Sequence, residues 1–349
     1  MATSSDSIIG TSLRGYTQDT SLNTYGEGLY NTLMGFNHRQ RGEFVPLNRD
    51  HQGLVFLTRP QFNLSTPNIS NCGEFGELAT DDEWSVERFV RCTLDPRCGT
   101  NLYEHPIHSK LMNNRQAFIP VITNRIKTLS GVPDSQSQSH TVKQGLMGEE
   151  YAIVDSAPNN FAAYDVTMTC ENLKGNVIYK LFRYWHLYPQ FVKINKLNKY
   201  DDYVMAFRRD YDTRIYRLIL DTSYNKVVDI WCSGVAYPTN SPDGQYFDYN
   251  KEDVFNTANL EQSFTFKCMG SFSTRALLMQ EFNEAQICFN PEMEEDLLHA
   301  GGSTLVRIPR EFLGLFNNHG YPRINLDTRV LEWYIEADIY QEITGGFSE

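Results

Sequence analysis

From Tyr164 to Glu171 the apolar side chains of Val166, Met168 and Cys170 alternate with Asp165, Thr167, Thr169 and Glu171, a period of two that predicts a strand with one dry face. After Lys174-Gly175 the period changes. Ile178, Leu181, Phe182 and Trp185 recur at helical spacing with Lys180 and Arg183 off the stripe, predicting a short amphipathic helix that Pro189 ends. Two β-branched and aromatic stretches follow, Arg214 to Leu220 and Val227 to Tyr237. The turn sequence Asn240 to Gly244 then leads to a strand, Ser263 to Cys268, with Phe264 and Phe266 on its apolar face. Arg275 to Gln286 predicts a second amphipathic helix with Leu278, Phe282 and Ala285 on one side. The clearest alternation comes last, over Arg329 to Tyr340. There Leu331, Trp333, Ile335, Ala337 and Ile339 form the dry face, while Glu332, Glu336 and Asp338 lie on the other.

The earlier half is less patterned. Residues 1–50 are rich in Ser, Thr, Gly and Asn without apolar periodicity, as expected of an extended arm ordered by a partner. Gly53 to Thr58 reads as a buried strand stopped by Arg59-Pro60. Asp81 to Phe89 predicts an acidic helix capped near Thr80 with Trp84 and Phe89 inward, and Gln136 to His140 a polar loop. The expected organisation is an arm over 1–50, a strand with an insertion or helical subdomain over 51–150, and a β domain over 151–349 interrupted by an insertion at about 274–326, loop-rich over 290–326. The fold class is α+β, mainly β, as an antiparallel roll or barrel carrying a packed helix.

Composition adds weight to sheets and contact surfaces. Aromatic residues make up 13% of the 349, with 20 Tyr and 21 Phe, and aromatic rings bury large areas. The net charge of −12 argues against a protein that grips nucleic acid, because phosphate affinity comes from clustered Lys and Arg. Seven scattered cysteines without a CxxC pair suit a reducing compartment and no disulfide framework. The N-terminal residues lack a signal-peptide pattern, and no stretch reaches the length of a membrane span.

Candidate chemistry is sparse. No phosphate-binding glycine loop and no Gly-x-Ser-x-Gly elbow occurs, and no cofactor is expected. Cys92, Cys98, His105 and His108 offer zinc-preferred ligand types, but five residues separate the thiols and Pro106 lies between the histidines. Asp81, Asp82 and Glu83 suit the start of a helix better than a cation, since consecutive carboxylates diverge. Trp185, Trp231 and Trp333 fall within patterns that assign them to the core rather than to a sugar platform.

Over 164–272 the order of features resembles the tail-tube family of contractile phages, in particular baseplate proteins that start the tube. The features are the strand to Glu171, the helix with Tyr179 and Trp185, the hairpin strands, the stretch Cys232 to Pro242, and the strand to Cys268. The resemblance implies a barrel-like subunit joining its sheet to neighbours in a hexameric ring, around a channel through which DNA passes without specific binding. It implies a non-enzymatic virion structural protein assembled in the host cytoplasm, with itself and other tail or baseplate proteins as partners and no membrane. The long N-terminal half and the insertion after Phe272 favour a specialised position, as a ring or adaptor of the tube or baseplate, over a repeating tube subunit. Glu332, Glu336 and Asp338 are then candidates for lining the channel. Val166, Met168, Ile178, Leu181, Phe182, Trp185, Phe264, Phe266, Leu331, Trp333 and Ile335 are the candidate packing residues. Two other readings stand beside this one: a carbohydrate- or peptide-binding module using aromatics on a sheet face, and a zinc-dependent enzyme using the Cys92 to His108 cluster.

Overall fold

A computed structural model describes residues 53–99, 106–135, 139–154, 162–249, 251–252, 259–300, 303–316 and 320–345. The arm expected over 1–50 lies outside these residues, as does His105. The strands are β1 (Val55–Leu57), β2 (Ile126–Ser130), β3 (Ser139–Thr141), β4 (Ala152–Val154), β5 (Ala163–Glu171), β6 (Ile215–Leu220), β7 (Val227–Pro238), β8 (Glu261–Phe272), β9 (Leu305–Arg307), β10 (Tyr321–Ile324) and β11 (Leu331–Glu336). The main helices are α1 (Val86–Leu94), α2 (Val177–Lys193), α3 (Arg275–Phe289) and α4 (Ala337–Gly345). Six strands form a curled antiparallel half-barrel in the order β1-β6-β7-β8-β5-β2.

The chain makes two compact units, neither continuous in sequence. The larger comprises Phe56–Ile215 and Cys232–Phe272. Its centre is the dry face of β5 against β8, where Val166 faces Phe266 and Met168 faces Phe264 across the ladder. The ring of Phe182 stacks on Phe264 at 3.9 Å and meets Phe266 edge-on at 5.6 Å, while Trp185 lies parallel to Phe182 at 5.8 Å. This aromatic layer holds α2 on the sheet, and Val166, Met168, Ile178, Leu181, Phe182, Trp185, Phe264 and Phe266 are all buried.

Helix α2 runs through Pro189 to Lys193 rather than ending at the proline. Tyr188 stacks on Phe62 at 4.0 Å and Phe191 meets Phe75 at 5.7 Å, so packing on both sides of the missing N–H carries the helix onward. The expected helix at Asp81 begins instead at Val86, because Ser85 Oγ accepts from Arg88 N at 3.1 Å and caps it there. Asp82 is drawn into a turn by Trp84 N at 3.0 Å, leaving Trp84 exposed and not inward.

The second unit comprises Tyr216–Trp231 and Ser273–Glu349 with the chain up to Val55. Here β11, from the strand expected over Arg329 to Tyr340, is the middle of a three-stranded sheet, β10-β11-β9, whose two outer strands come from the region expected to be loop-rich. Asn283 on α3 clasps β10 from both sides: its amide donates to Ile324 O at 2.7 Å and its carbonyl accepts from Ile324 N at 2.8 Å. Leu331, Trp333 and Ile335 are buried, and so is the Met293, Leu305 and Tyr321 cluster. The final strand stops at Glu336, short of the predicted Tyr340, and Ala337 onward is helical. Ring stacking of Tyr340 on Phe316 at 5.8 Å favours the helix over a longer strand.

Candidate assembly surface

The charged face predicted on the last strand divides in three. Glu332 is buried: its carboxylate accepts from Tyr334 Oη at 2.9 Å and pairs with Arg307 at 3.2 Å, so it is engaged within the unit instead of facing an open lumen. Its position opposite Arg323 in the ladder, and beside Arg307 on the neighbouring strand, explains why the acid is drawn in. Glu336 is half-buried and accepts from Tyr321 Oη at 2.7 Å. Asp338 is exposed in the first turn of α4, off the strand, where its charge suits the helix N-terminus. Burial raises the Tyr334 hydroxyl to about 12, with the Glu332 carboxylate adding to it, which keeps that hydroxyl a donor.

Cys92 and Cys98 are buried, and His108 is exposed. Among the described residues no three His, Cys, Asp or Glu side chains group to hold a metal. Trp185 and Trp333 are buried and Trp231 is half-buried, so the three do not form an exposed platform.

Sequence reasoning missed a feature of the larger unit, the loop after α2 from Ile194 to Asp212. Its base is locked by a buried carboxylate. Asp95, fully buried at the end of α1, accepts from Leu64 N at 2.9 Å, Arg97 N at 3.1 Å and Tyr200 Oη at 2.9 Å. Arg97 forms a two-pronged pair with Asp202 at 2.7 and 2.9 Å, and its guanidinium lies over the Tyr200 ring at 4.6 Å. Asn68 and Asn198 exchange side-chain to backbone bonds of 3.0 Å in both directions. At the far end Asp210, also buried, accepts from Tyr188 Oη at 2.9 Å, and Trp185 Nε1 donates to Tyr211 O at 2.9 Å.

Burial raises the Asp210 carboxyl, opposed by the Tyr188 hydroxyl and Lys199, and raises Asp212 to about 6 against the pull of Arg209. From this base the short helix Asp201–Met205 carries a tip with Met205 81% and Phe207 96% exposed. Phe207 closes that helix in the left-handed region at φ +52°. Its N–H donates to Val204 O, and the next N–H, of Arg208, donates to Tyr203 O. This is the Schellman pattern, whose left-handed position ordinarily holds glycine.

A second projection in the same unit is the two-stranded hairpin of β3 and β4 with its connecting turn, over 139–154. Every one of these residues is exposed, with Leu146 and Met147 at the tip. The turn is shaped by Gly145 N donating to Glu149 O at 3.0 Å and Met147 N donating to the Glu149 carboxylate at 2.9 Å. Two strands alone are marginal in water, so a surface of this kind is suited to contact.

Among solved structures the chain is similar to the tube-terminating cap of the anti-feeding prophage, at 15% identity over 46% of this chain and 83% of that one with a TM-score of 0.27. It is likewise similar to a sheath/tube terminator of an extracellular contractile injection system in the extended state. The identity there is 12% over 45% of this chain and 86% of that one, with a TM-score of 0.26. No curated protein matches the chain. Among the described residues no helix is long and apolar enough to cross a membrane. The family model described as "Putative phage tail tube protein" matches residues 4–346, which agrees with the resemblance read over 164–272. The chain therefore belongs to this phage tail tube family and is a structural component of a phage tail.

Proposed function

We propose that the protein acts as a ring or adaptor of the tail tube or baseplate, joining copies of itself around the DNA channel and contacting other tail proteins. The observation that carries this reading is the half-barrel, which ends on β2 at one side, while at the other the outer side of β1 is partly covered by residues 117–119, with Ile119 N donating to Leu57 O and Arg59 N to Ala117 O. Unpaired edges are normally protected or paired, and a curled sheet extended edge to edge by further copies closes around an axis. On this reading DNA slides through without being held. The net charge of −12 opposes phosphate binding, and Glu336 and Asp338 remain the candidate acids for the wall once Glu332 is set aside. No catalytic step is assigned to the chain.

Native mass spectrometry and negative-stain microscopy of the purified chain test the reading. The expected result is a closed ring, six-fold if the resemblance extends to symmetry. A strict monomer at every concentration reached, with no association in the presence of other tail proteins, would overturn it.

A further inference from the structure

Helix α1 ends at Leu94, and the chain then folds back over its last turn. Cys98 N donates to Asp95 O at 3.2 Å, closing a tight turn over Pro96–Gly99 that returns Cys98 to the side of Cys92. Ile107 fixes both residues: its N–H donates to Cys98 O at 2.7 Å, and its carbonyl accepts from the Cys92 thiol at 3.7 Å. Both side chains are fully buried, and the two thiols are hydrogen-bonded to each other.

The two sulfurs are not alike. The hydrogen bond from Cys98 draws the Cys92 thiol below its usual value against the effect of burial, helped by the charges of Arg59, Arg88 and Arg91. Cys98 is pushed up by the same bond and by burial. Arg59 is itself buried, its guanidinium donating to the carbonyls of Thr93 at 3.0 Å, of Asn114 and Gln116 at 2.9 Å, and of Cys92. A sulfur that gives up its proton readily beside one that keeps it is the arrangement of an attacking and a resolving thiol.

We infer that Cys92 and Cys98 form a redox pair that a peroxide closes to a disulfide, bracing the turn that anchors the loop after α2. The Cys92 thiolate attacks one peroxide oxygen and the O–O bond breaks, giving a sulfenic acid and a hydroxide that takes up the proton Cys92 released. The Cys98 sulfur then attacks the Cys92 sulfur, the S–S bond forms, and the Cys98 proton leaves with the sulfenic oxygen as water. Two thiols thus lose two protons and two electrons, and one peroxide becomes two waters. The ring so closed contains Asp95, which accepts from Leu64 N, Arg97 N and Tyr200 Oη, and Arg97, the partner of Asp202. The bond therefore acts on the base of the loop. Both sulfurs are closed to solvent, so reaction awaits local opening of the turn, and the bond once formed opposes that opening. In a reducing compartment the pair stays open. The inference is independent of the proposed ring.

The test uses the full folded chain with exposed Cys288 replaced by Ser, treated with hydrogen peroxide and then alkylated. Trypsin cuts between Arg97 and Cys98, so the disulfide is read by mass as a linked pair of peptides, 92–97 and 98–110. The link should form about tenfold faster than any oxidation of Cys72, Cys170, Cys232 and Cys268, which are also buried. The oxidised chain should melt about 3 °C higher than the reduced one. Its amides should exchange more slowly over 92–99 and 198–208, and dithiothreitol should reverse both effects. In Cys98→Ala, Cys92 should go on to the sulfinic acid.

Oxidation of all the buried cysteines at one rate would mark unfolding and overturn the pair. So would conversion of Cys92 to higher acids in the parent without the link. A link that leaves melting and exchange unchanged would overturn the brace.

Discussion

Replacing Phe207 by glycine should make the isolated chain more stable. At φ +52° an L-residue is penalised by about 1–2 kcal/mol relative to the right-handed region. Glycine removes that penalty but adds unfolded-state freedom of about 0.5–1 kcal/mol. The ring is 96% exposed, so no burial is lost. The two hydrogen bonds that define the helix end, Phe207 N to Val204 O and Arg208 N to Tyr203 O, are backbone bonds that glycine keeps. The balance is a gain of about 0.5–1 kcal/mol, read as a higher urea midpoint at unchanged slope under dilute, dissociated conditions. Phe207→Ala serves as the control: it keeps Cβ and the strain, and should lie within about 0.5 kcal/mol of the parent. A glycine variant less stable than the parent by more than about 0.5 kcal/mol would show that the ring packs on its own chain, and the reasoning for an exposed knob would fail.

Further outcomes follow from the anchors and the core. Tyr200→Phe deletes a hydroxyl that donates to the buried Asp95 carboxylate and keeps the ring under Arg97. It should cost about 1.5–3 kcal/mol by denaturant unfolding and speed amide exchange across 198–208. Phe182→Ala empties the aromatic layer beneath α2 and should cost about 3–5 kcal/mol by the same assay. The Asp212 carboxyl, lifted by burial from 3.8 to about 6, binds its proton more tightly in the folded chain. Its contribution is therefore full below about pH 3.8 and is lost as pH rises through about 6. The stability difference between parent and Asp212→Asn should shift across that window in thermal scans, and a difference constant from pH 4 to 7 would contradict the assignment.

What could be read in advance was whatever depended on local periodicity. Strands β5 and β8 and helix α2 each bury one face, so a period of two or of 3.6 marks them without knowledge of partners. Strand β10 buries all four of its residues, including Pro322 and Arg323, and so shows no alternation. Arg323 is tolerated there because it donates to Met293 O at 3.1 Å and pairs with Glu295 at 2.9 Å, and the proline because β10 is an edge. Past Glu336 the sequence fits both periods, and a distant ring, Phe316, decides for the helix. Glu332 looked like a solvent-facing acid because its neighbours in sequence alternate with it. Its partner Arg307 lies on a strand three residues long, too short to announce itself.

The loop after α2 was illegible for a related reason. Its anchors, Asn68, Asp95 and Arg97, stand more than a hundred residues earlier, so nothing within the loop shows that it is held. The structure shows a phenylalanine ending a short helix where glycine is the ordinary choice, and its neighbours Val204 and Met205 turned to solvent. Two buried carboxylates and a cation over an aromatic ring fix the loop, and Leu197 packs into the core, while Val204, Met205 and Phe207 stay exposed at its tip. Rigid apolar groups of this kind lose little freedom when a partner covers them, so under the proposed self-assembly the loop tip is a surface to probe by cross-linking.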